Sequence, residues 1–152
     1  MRALIQRVTE VRVTVADEIV GEIGPGLLVY VCVAPDDTPA AARWLARKVA
    51  TLRIFEDEQG KLNQNVRDAR GSVLAVSNFT LLADARKGRR PSFINAAKAN
   101  VAEPLTRVFV EALRGEGLDV ATGVFGEMMR IDSQAAGPVN VLVDTPADAA
   151  QS

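Results

Sequence analysis

Two hydroxyl side chains and an amide form the first candidate site in the sequence. Ser77, Asn78, Phe79 and Thr80 directly follow the apolar run VLAV, which is typical of a buried strand. The chain contains no histidine, which excludes Ser-His-Asp and Cys-His catalysis and histidine-ligated zinc. Without a base to remove its proton, the Thr80 hydroxyl is a poor nucleophile. By pattern alone, ordinary strand residues remain the favoured interpretation.

A basic segment with an aromatic ring forms the second candidate site, at Arg86, Lys87, Arg89, Arg90 and Phe93. Such a cluster of cations suits contacts with phosphate groups, and the ring suits packing or base stacking. The formal net charge of the chain is −1, so RNA binding would depend on this local patch and not on the protein as a whole. A solvated surface loop explains the same charges and is favoured by the pattern alone.

The dipeptide Gly137-Pro138 forms the third candidate site. It precedes a run that predicts a buried strand, with apolar residues at Val139, Val141, Leu142 and Val143. Proline cannot donate a hydrogen bond to a sheet. The dipeptide is therefore either a turn that stops the preceding segment or a cis peptide bond that aims backbone carbonyls at a ligand. Both interpretations stay open at this point.

Residue patterns predict the elements that position these segments. Alternating and β-branched residues predict strands at 2–15, 18–23 and 27–33, and the longest strand candidate is 72–84. Thr38 followed by Pro39 predicts the start of one amphipathic helix, and a second is predicted at about 101–113. Cys32, the only cysteine, is predicted to be a buried core residue. The predicted fold class is α/β: a single mixed domain with a curved or barrel-like, largely antiparallel β-sheet and two main helices packed outside.

Length and composition indicate the general class of protein. A chain of 152 residues with 48% apolar and 24% charged residues fits one soluble globular domain, predicted at 1–145, with a small polar tail at 146–152 that we expect to be flexible. No apolar run approaches the ~18 residues needed to span a bilayer, and the start MRALIQRVTE has no signal-peptide core. We therefore expect a cytoplasmic protein with no membrane partner. No cofactor and no metal site are predicted.

Collinear segments relate the chain to a known family. MRALIQRVTEVRVTV, GEIGPGLLVYV, LRIFEDEQGKLNQNV, VSNFTLLADARKGRRPSF, AEPL and GVFGEMM occur in the order and spacing typical of the D-aminoacyl-tRNA deacylases, also called D-tyrosyl-tRNA deacylases. On these residues the chain resembles that family along almost its whole length, with only the last few residues outside the match.

The resemblance implies a function and an assembly. Members of the family are homodimers that hydrolyse the ester between a D-amino acid, or glycine, and the 3′-terminal adenosine of tRNA, a chiral proofreading step in translation. Each active site combines a Ser-Gln-x-x-Leu motif of one subunit with a Gly-cisPro motif of the other. Carried over by position, the first motif corresponds to Ser77, Asn78, Phe79, Thr80 and Leu81, and the second to Gly137, Pro138, Val139 and Asn140.

The resemblance also implies roles for these residues. Gly137-Pro138 would be cis, and its carbonyls would receive the α-ammonium group, so that L-substrates clash with backbone. Backbone N–H groups near Phe79 and Thr80 would stabilise the oxyanion, a role that needs no histidine. Accounts of the family assign the attack either to Thr80 or to a water activated by the substrate's own 2′-hydroxyl. We favour the second, because the sequence supplies Thr80 with no obvious base.

Three positions depart from the family pattern. Asn78 stands in place of a glutamine, Ala135 in place of an asparagine, and Asn140 in place of a threonine. A buried polar group that loses its partner costs ~1–3 kcal/mol, so these changes affect efficiency and substrate choice more than fold. Two alternatives follow: a divergent paralogue that deacylates a different mischarged or modified aminoacyl-tRNA, or a catalytically impaired module that binds tRNA 3′ ends.

Overall fold

The computed structural model describes residues 1–151, and the side chains of residues 1–149. It contains eight strands, two α-helices and two short 3₁₀ helices. The strands are β1 Arg2–Val15, β2 Glu18–Ile23, β3 Gly26–Cys32, β4 Phe55–Glu56, β5 Leu62–Gln64, β6 Ser72–Ser77, β7 Val120–Thr122 and β8 Arg130–Asp144. The α-helices are α1 Pro39–Thr51 and α2 Ala99–Gly115, and the 3₁₀ helices are Phe79–Leu82 and Ala147–Gln151.

Strand β1 organises the main sheet. Its first half pairs with β3, its second half pairs with β2, and β8 runs along its other edge, all antiparallel. Beyond β3 the sheet continues through β6 and β7, which are both parallel to their neighbours. The far edge then returns towards β2. Strand β7 approaches β2 so closely that a Cβ atom on Gly21 would lie 2.4 Å from the Thr122 carbonyl oxygen. The sheet is therefore a nearly closed, barrel-like structure, and the predicted fold class is confirmed.

Two apolar clusters lie on the two faces of this sheet. Strands β3 and β6 contribute to both, which is why their residues are apolar on both faces. Both helices pack against one face, with Leu45 of α1 and Phe109 of α2 fully buried there. The other cluster fills the inside of the curved sheet, with Val11, Leu28 and Leu74 at its centre.

Both predicted helices are present. Thr38 caps α1 by accepting a hydrogen bond from the Ala41 amide at 3.3 Å, and Pro39 takes the first helical position, as predicted. Helix α2 is two residues longer at each end than the predicted 101–113. Cys32 is buried, with 2% of its surface exposed, which confirms its assignment to the core.

The strand predicted at 72–84 is wrong in its second half. Strand β6 ends at Ser77, and the next residues form the 3₁₀ helix Phe79–Leu82. The reason is local: the Asn78 side chain accepts a hydrogen bond from the Thr80 amide at 3.1 Å and so starts a helical turn within an apolar run. The longest strands are instead β1, with 14 residues, and β8, with 15.

The strand after Gly137-Pro138 also differs from the prediction. The dipeptide lies within β8 and not at its entrance, and residues 136–139 face the single β1 residue Arg7 as a bulge. Val139, Val141 and Val143 pack against the helix-side cluster, whereas Leu142 points outward and is 57% exposed. β8 is therefore a half-buried strand, because its residues alternate between the two faces.

The end of the chain lies against α1. Ala147–Gln151 form a turn of 3₁₀ helix next to α1, and Ala149 is 6% exposed. The domain limit at residue 145 and the flexibility of 146–152 stay predictions, and Ser152 lies outside the described residues. Across residues 1–151, no helix has the length and apolar content needed to cross a membrane.

Candidate active site

The 3₁₀ helix Phe79–Leu82 presents the first motif at the end of β6. The backbone N–H of Asn78 donates to the Val31 carbonyl at 2.8 Å, which fixes the start of the motif to the neighbouring strand β3. The Asn78 side-chain oxygen accepts from both the amide and the hydroxyl of Thr80. The motif is therefore held from within, because the side chains of Asn78 and Thr80 are already paired with each other before any ligand binds.

The backbone carbonyls of this helix are held as well. The Phe79 carbonyl lies 3.4 Å from the Cys32 thiol, and burial raises the pKa of that thiol, which keeps it a neutral donor. The Thr80 carbonyl accepts from Ala83, and the Leu81 carbonyl accepts from Arg2 at 3.2 Å. Within the described residues the Phe79 N–H has no hydrogen-bond acceptor, whereas the Thr80 N–H is engaged by Asn78. Phe79 thus offers the free backbone donor of the motif.

The Thr80 hydroxyl has no base beside it. It donates to the Asn78 amide oxygen, which is a neutral acceptor and does not remove a proton. This contact occupies the hydroxyl proton and orients the threonine side chain. The geometry therefore favours a positioning role for Thr80 over a nucleophilic one.

A cavity of about 360 Å³ opens beside the motif. We call it the motif cavity, and its volume is in the range of small-molecule sites. Its walls come from the motif, the end of β3, the start of α2 and the loop before β8, and are largely apolar. The lining residues are Cys32, Val33, Ser77, Asn78, Phe79, Ala97, Ala99, Ala102, Phe125, Gly126, Glu127 and Met129. A larger depression of about 910 Å³ near β1, β2 and β8 contains none of the predicted site residues.

The basic segment lies next to the motif. Asp84 and Ser92 close it by two backbone hydrogen bonds of 2.8 and 2.9 Å. Phe93 then packs edge-on against Phe79, with ring centroids 5.1 Å apart, although both rings stay partly exposed. The structure therefore brings the predicted basic segment and the first motif together.

The four cations of this segment are not equivalent. Arg86 forms a two-point ion pair with Asp84, with distances of 2.9 and 2.7 Å, and this pairing lowers the pKa of the Asp84 carboxyl. In the described part of the chain, no carboxylate pairs with the exposed side chains of Lys87, Arg89 or Arg90. These three cations are free to meet an anionic ligand.

The second motif lies on the bulge of β8, where the Gly137-Pro138 peptide bond is cis, as the resemblance predicted. Arg7 supports the bulge from β1: its Nε donates to the Ala136 carbonyl and its Nη1 to the Ile54 carbonyl, both at 3.0 Å. Gly137 has φ +127°, and a Cβ there would lie 2.9 Å from Val139. Only glycine fits this backbone without strain. Ala135 and Asn140 flank the bulge, paired with Val8 and Gln6 of β1.

The two motifs lie apart within the chain. The first motif joins β3 next to Val31, which pairs with Ala3, whereas the second lies opposite Arg7. These positions are four residues apart on β1, or roughly 13 Å along the strand, and on opposite edges of it. Neither Gly137 nor Pro138 lines the motif cavity. Within this chain the two motifs therefore do not line a common cavity.

Sequence reasoning missed three charged residues that hold the motifs in place. Arg7 holds the second motif, while Arg2, paired with Asp144, holds the end of the first. Each appears in the sequence as an ordinary charge on an alternating strand. Their contacts follow from the cross-strand register, and a single sequence carries no signal of it.

Among the described residues, no group of His, Cys, Asp and Glu side chains is arranged to hold a metal ion.

The chain is similar to known proteins along nearly its whole length. Residues 4–144 match the family model described as D-Tyr-tRNA(Tyr) deacylase. A D-aminoacyl-tRNA deacylase of Symbiobacterium thermophilum is 53% identical over 145 residues, covering 95% of this chain and 96% of that protein. One of Deinococcus deserti is 53% identical over 146 residues, covering 96% of this chain and all of that protein.

Solved structures share the fold. The chain is similar to a c-Myc DNA unwinding element binding protein, with a TM-score of 0.89 and 37% identity over 97% of this chain and 100% of that one. A probable eukaryotic D-amino acid tRNA deacylase has a TM-score of 0.81 over 93% of this chain and 97% of that one, and its 20% identity supports similarity of fold alone.

Proposed function

Because this chain belongs to the D-Tyr-tRNA(Tyr) deacylase family, we propose that it hydrolyses the ester bond between a D-amino acid and the 3′-terminal adenosine of tRNA. The products are free tRNA and the free D-amino acid, and the reaction removes D-residues before they enter translation. The observation that carries this proposal is the full-length match to relatives of that name, with 53% identity over 95% of the chain. We expect the protein to act in the cytoplasm, where tRNA is charged.

The active site is composed of two protomers. The first motif and the motif cavity of one protomer face the Gly137-Pro138 bulge of its partner in a homodimer. The separation of the two motifs within one protomer supports this arrangement. By two-fold symmetry, each dimer has two equivalent sites.

The motif cavity receives the terminal adenosine. Its apolar walls suit the faces of a base, and the exposed ring of Phe79 lies at its edge. The ester carbonyl then lies beside the motif, where the Phe79 N–H donates to the oxyanion as the tetrahedral intermediate forms. A water activated by the 2′-hydroxyl of the same adenosine attacks, so the protein supplies no base.

The partner's Gly-Pro backbone selects the handedness of the amino acid. Its carbonyls accept hydrogen bonds from the α-ammonium group, and the side chain of a D-residue then points away from the protein. An L-residue held by the same ammonium group would direct its side chain into the backbone. A filter of this kind tests only atoms that all amino acids share, so it accepts many different D-residues.

The basic segment holds the tRNA next to the cavity. Lys87, Arg89 and Arg90 contact phosphates of the single-stranded 3′ end, and Arg86 contributes while paired with Asp84. Phe93 joins this surface to the motif through its contact with Phe79. No observation favours a different acyl substrate or a binding module without catalysis.

Release of D-tyrosine from D-tyrosyl-tRNA by the purified protein tests this function. We expect single-turnover release with a chelator present, together with recovery of tRNA that can be charged again. An Asn78→Gln variant, which carries the glutamine usual at this position in the deacylase family, should be active as well. If only Asn78→Gln releases D-tyrosine, the natural protein is a binding module and the proposal is wrong.

A further inference from the structure

Arg2 links the catalytic 3₁₀ helix to strand β8. It is the first residue of β1, and its cross-strand partners are Cys32 on β3 and Asp144 on β8. Its guanidinium group makes a two-point contact with Asp144, Nε to Oδ1 at 2.7 Å and Nη2 to Oδ2 at 3.0 Å. The remaining nitrogen, Nη1, donates to the Leu81 carbonyl at 3.2 Å.

This contact holds the third carbonyl of the helix, next to its C-terminal end. Leu81 is the third of four residues in Phe79–Leu82, and Cys32 and Ala83 already hold the two preceding carbonyls. A 3₁₀ helix this short has little stability of its own, so its direction is set by such external contacts. The direction of the Phe79 N–H therefore depends on how firmly both ends of the helix are held.

The chemistry of the pair suits a rigid support. The hydrogen bond from Arg2 lowers the pKa of the Asp144 carboxyl, so the carboxylate stays ionised at neutral pH. A planar guanidinium fixed by a two-point contact presents its third nitrogen in one direction, which a lysine ammonium on a flexible stem does not do. The Arg2 side chain is 31% exposed, which leaves it partly shielded by the sheet and the helix.

We propose that Arg2, oriented by Asp144, is a positioning residue that holds the Phe79 N–H in the direction needed to stabilise the oxyanion. The inference rests on the proposed function and goes beyond it, because it adds two residues outside both motifs. Neither residue touches the substrate. Their effect reaches the reaction only through the 3₁₀ helix.

Single-turnover and steady-state hydrolysis of D-tyrosyl-tRNA by Arg2→Lys, Asp144→Asn and the double variant test the inference. Arg114→Lys is the matched control, because Arg114 also joins a carboxylate, Glu111 at 2.7 Å, to a backbone carbonyl, Val120 at 3.2 Å, away from the helix. Rates are compared at a temperature at which thermal melts show every variant to be folded.

We expect Arg2→Lys to lower kcat by about tenfold with KM nearly unchanged, less than the ~10²-fold or more expected for loss of an oxyanion donor itself. Asp144→Asn should lower kcat less, and the double variant should be no slower than Arg2→Lys, because the two residues act as one unit. Arg114→Lys should match the natural protein.

Three results would overturn the inference. They are an unchanged kcat in Arg2→Lys, an effect of Arg2→Lys on KM alone, and effects of the two substitutions that multiply in the double variant. Failure of the proposed function has a different signature, since the natural protein would then release no D-tyrosine at all. In that case the inference falls with the function it refines.

Discussion

Asn78 determines which backbone donors of the first motif are available. Its side-chain oxygen binds both the N–H and the hydroxyl of Thr80, so of the two neighbouring amides only that of Phe79 is left for a ligand. Under the proposed function, the group that stabilises the oxyanion is therefore the backbone N–H of Phe79. The aromatic ring of Phe79 and the hydroxyl of Thr80 have supporting roles.

Phe79→Pro tests this assignment, because proline has no N–H group. Phe79 is the first residue of the 3₁₀ helix, a position that tolerates proline, and Asn78 before it is already extended, at φ −144° and ψ 92°. We expect kcat to fall by ~10²–10³-fold, as for removal of one oxyanion donor.

Phe79→Leu is the matched control for this experiment, since it removes the ring but keeps the N–H. We expect it to raise KM more than it lowers kcat, because the ring lies at the edge of the cavity. Equal losses of kcat in the leucine and proline variants would show that the ring matters and the N–H does not.

The sequence predicts the residues of both motifs but not the residues that hold them. Ser77 and Phe79 belong to a short segment with three polar residues that follows an apolar run, and Gly137 belongs to a glycine-proline pair. The resemblance to the family then gives these residues roles. Arg2 and Arg7 lie on an alternating strand where a charged residue is ordinary. Their contacts with carbonyls of distant segments depend on register and on the bulge in β8, which one sequence does not reveal.

At the scale of elements, the helices and the central strands follow from pattern, whereas two boundaries do not. The apolar content of 72–84 suggests one strand, but a single side-chain cap at Asn78 turns the chain into a helix after Ser77. The glycine-proline pair suggests a break, but the sheet absorbs it as a bulge within β8. In both cases a local interaction overrides periodicity.

Strand β3 approaches β6 so closely at Gly26 that the position has no room for a side chain. A Cβ on Gly26 would lie 1.9 Å from the Ser72 carbonyl oxygen, a contact with backbone that no side-chain movement relieves. We expect Gly26→Ala to lower the free energy of unfolding by roughly 2–4 kcal/mol, measured by denaturant titration.

Gly24→Ala is the control for the glycine experiment, because a Cβ at Gly24 meets no atom within 4 Å. It should change the unfolding free energy by no more than about 0.5 kcal/mol. If both alanine variants were equally stable, the close pairing of β3 and β6 would be contradicted.

The basic segment is the element that should govern the salt dependence of tRNA binding. Arg89→Ala combined with Arg90→Ala removes two cations that have no carboxylate partner in the described part of the chain. We expect the slope of log affinity against log salt to become shallower by about 1.4, or ~0.7 per cation for a single-stranded contact.

Arg43→Ala combined with Arg67→Ala makes the same change of charge elsewhere on the exposed surface and is the control for the salt measurement. This pair should leave the slope unchanged. If both double variants shifted the slope equally, binding would depend on overall charge and not on the basic segment.

In the whole molecule, each proposed site needs residues from two protomers. Mixed dimers test this with two inactive variants, Phe79→Pro in one chain and Gly137→Ala in the other. Gly137→Ala disables the second motif, since φ is +127° and the new Cβ would lie 2.9 Å from Val139. In each mixed dimer, one site combines an intact first motif with an intact second motif.

Random mixing of the two variants should therefore restore about a quarter of the activity of the natural protein, as two-fold symmetry requires. Sedimentation of the natural protein should show a dimer. A monomer, or a mixture with no more activity than the separate variants, would mean that both motifs act within one chain or that the site is elsewhere.

The proposed function requires the protein to distinguish the handedness of an amino acid on tRNA. The most direct measurement is the ratio of single-turnover rate constants for D-tyrosyl-tRNA and L-tyrosyl-tRNA, prepared on the same tRNA and mixed with the same excess of protein. We expect hydrolysis of the D-ester to be at least ~10²-fold faster than that of the L-ester. Equal rates for the two esters, or faster release of L-tyrosine, would contradict it.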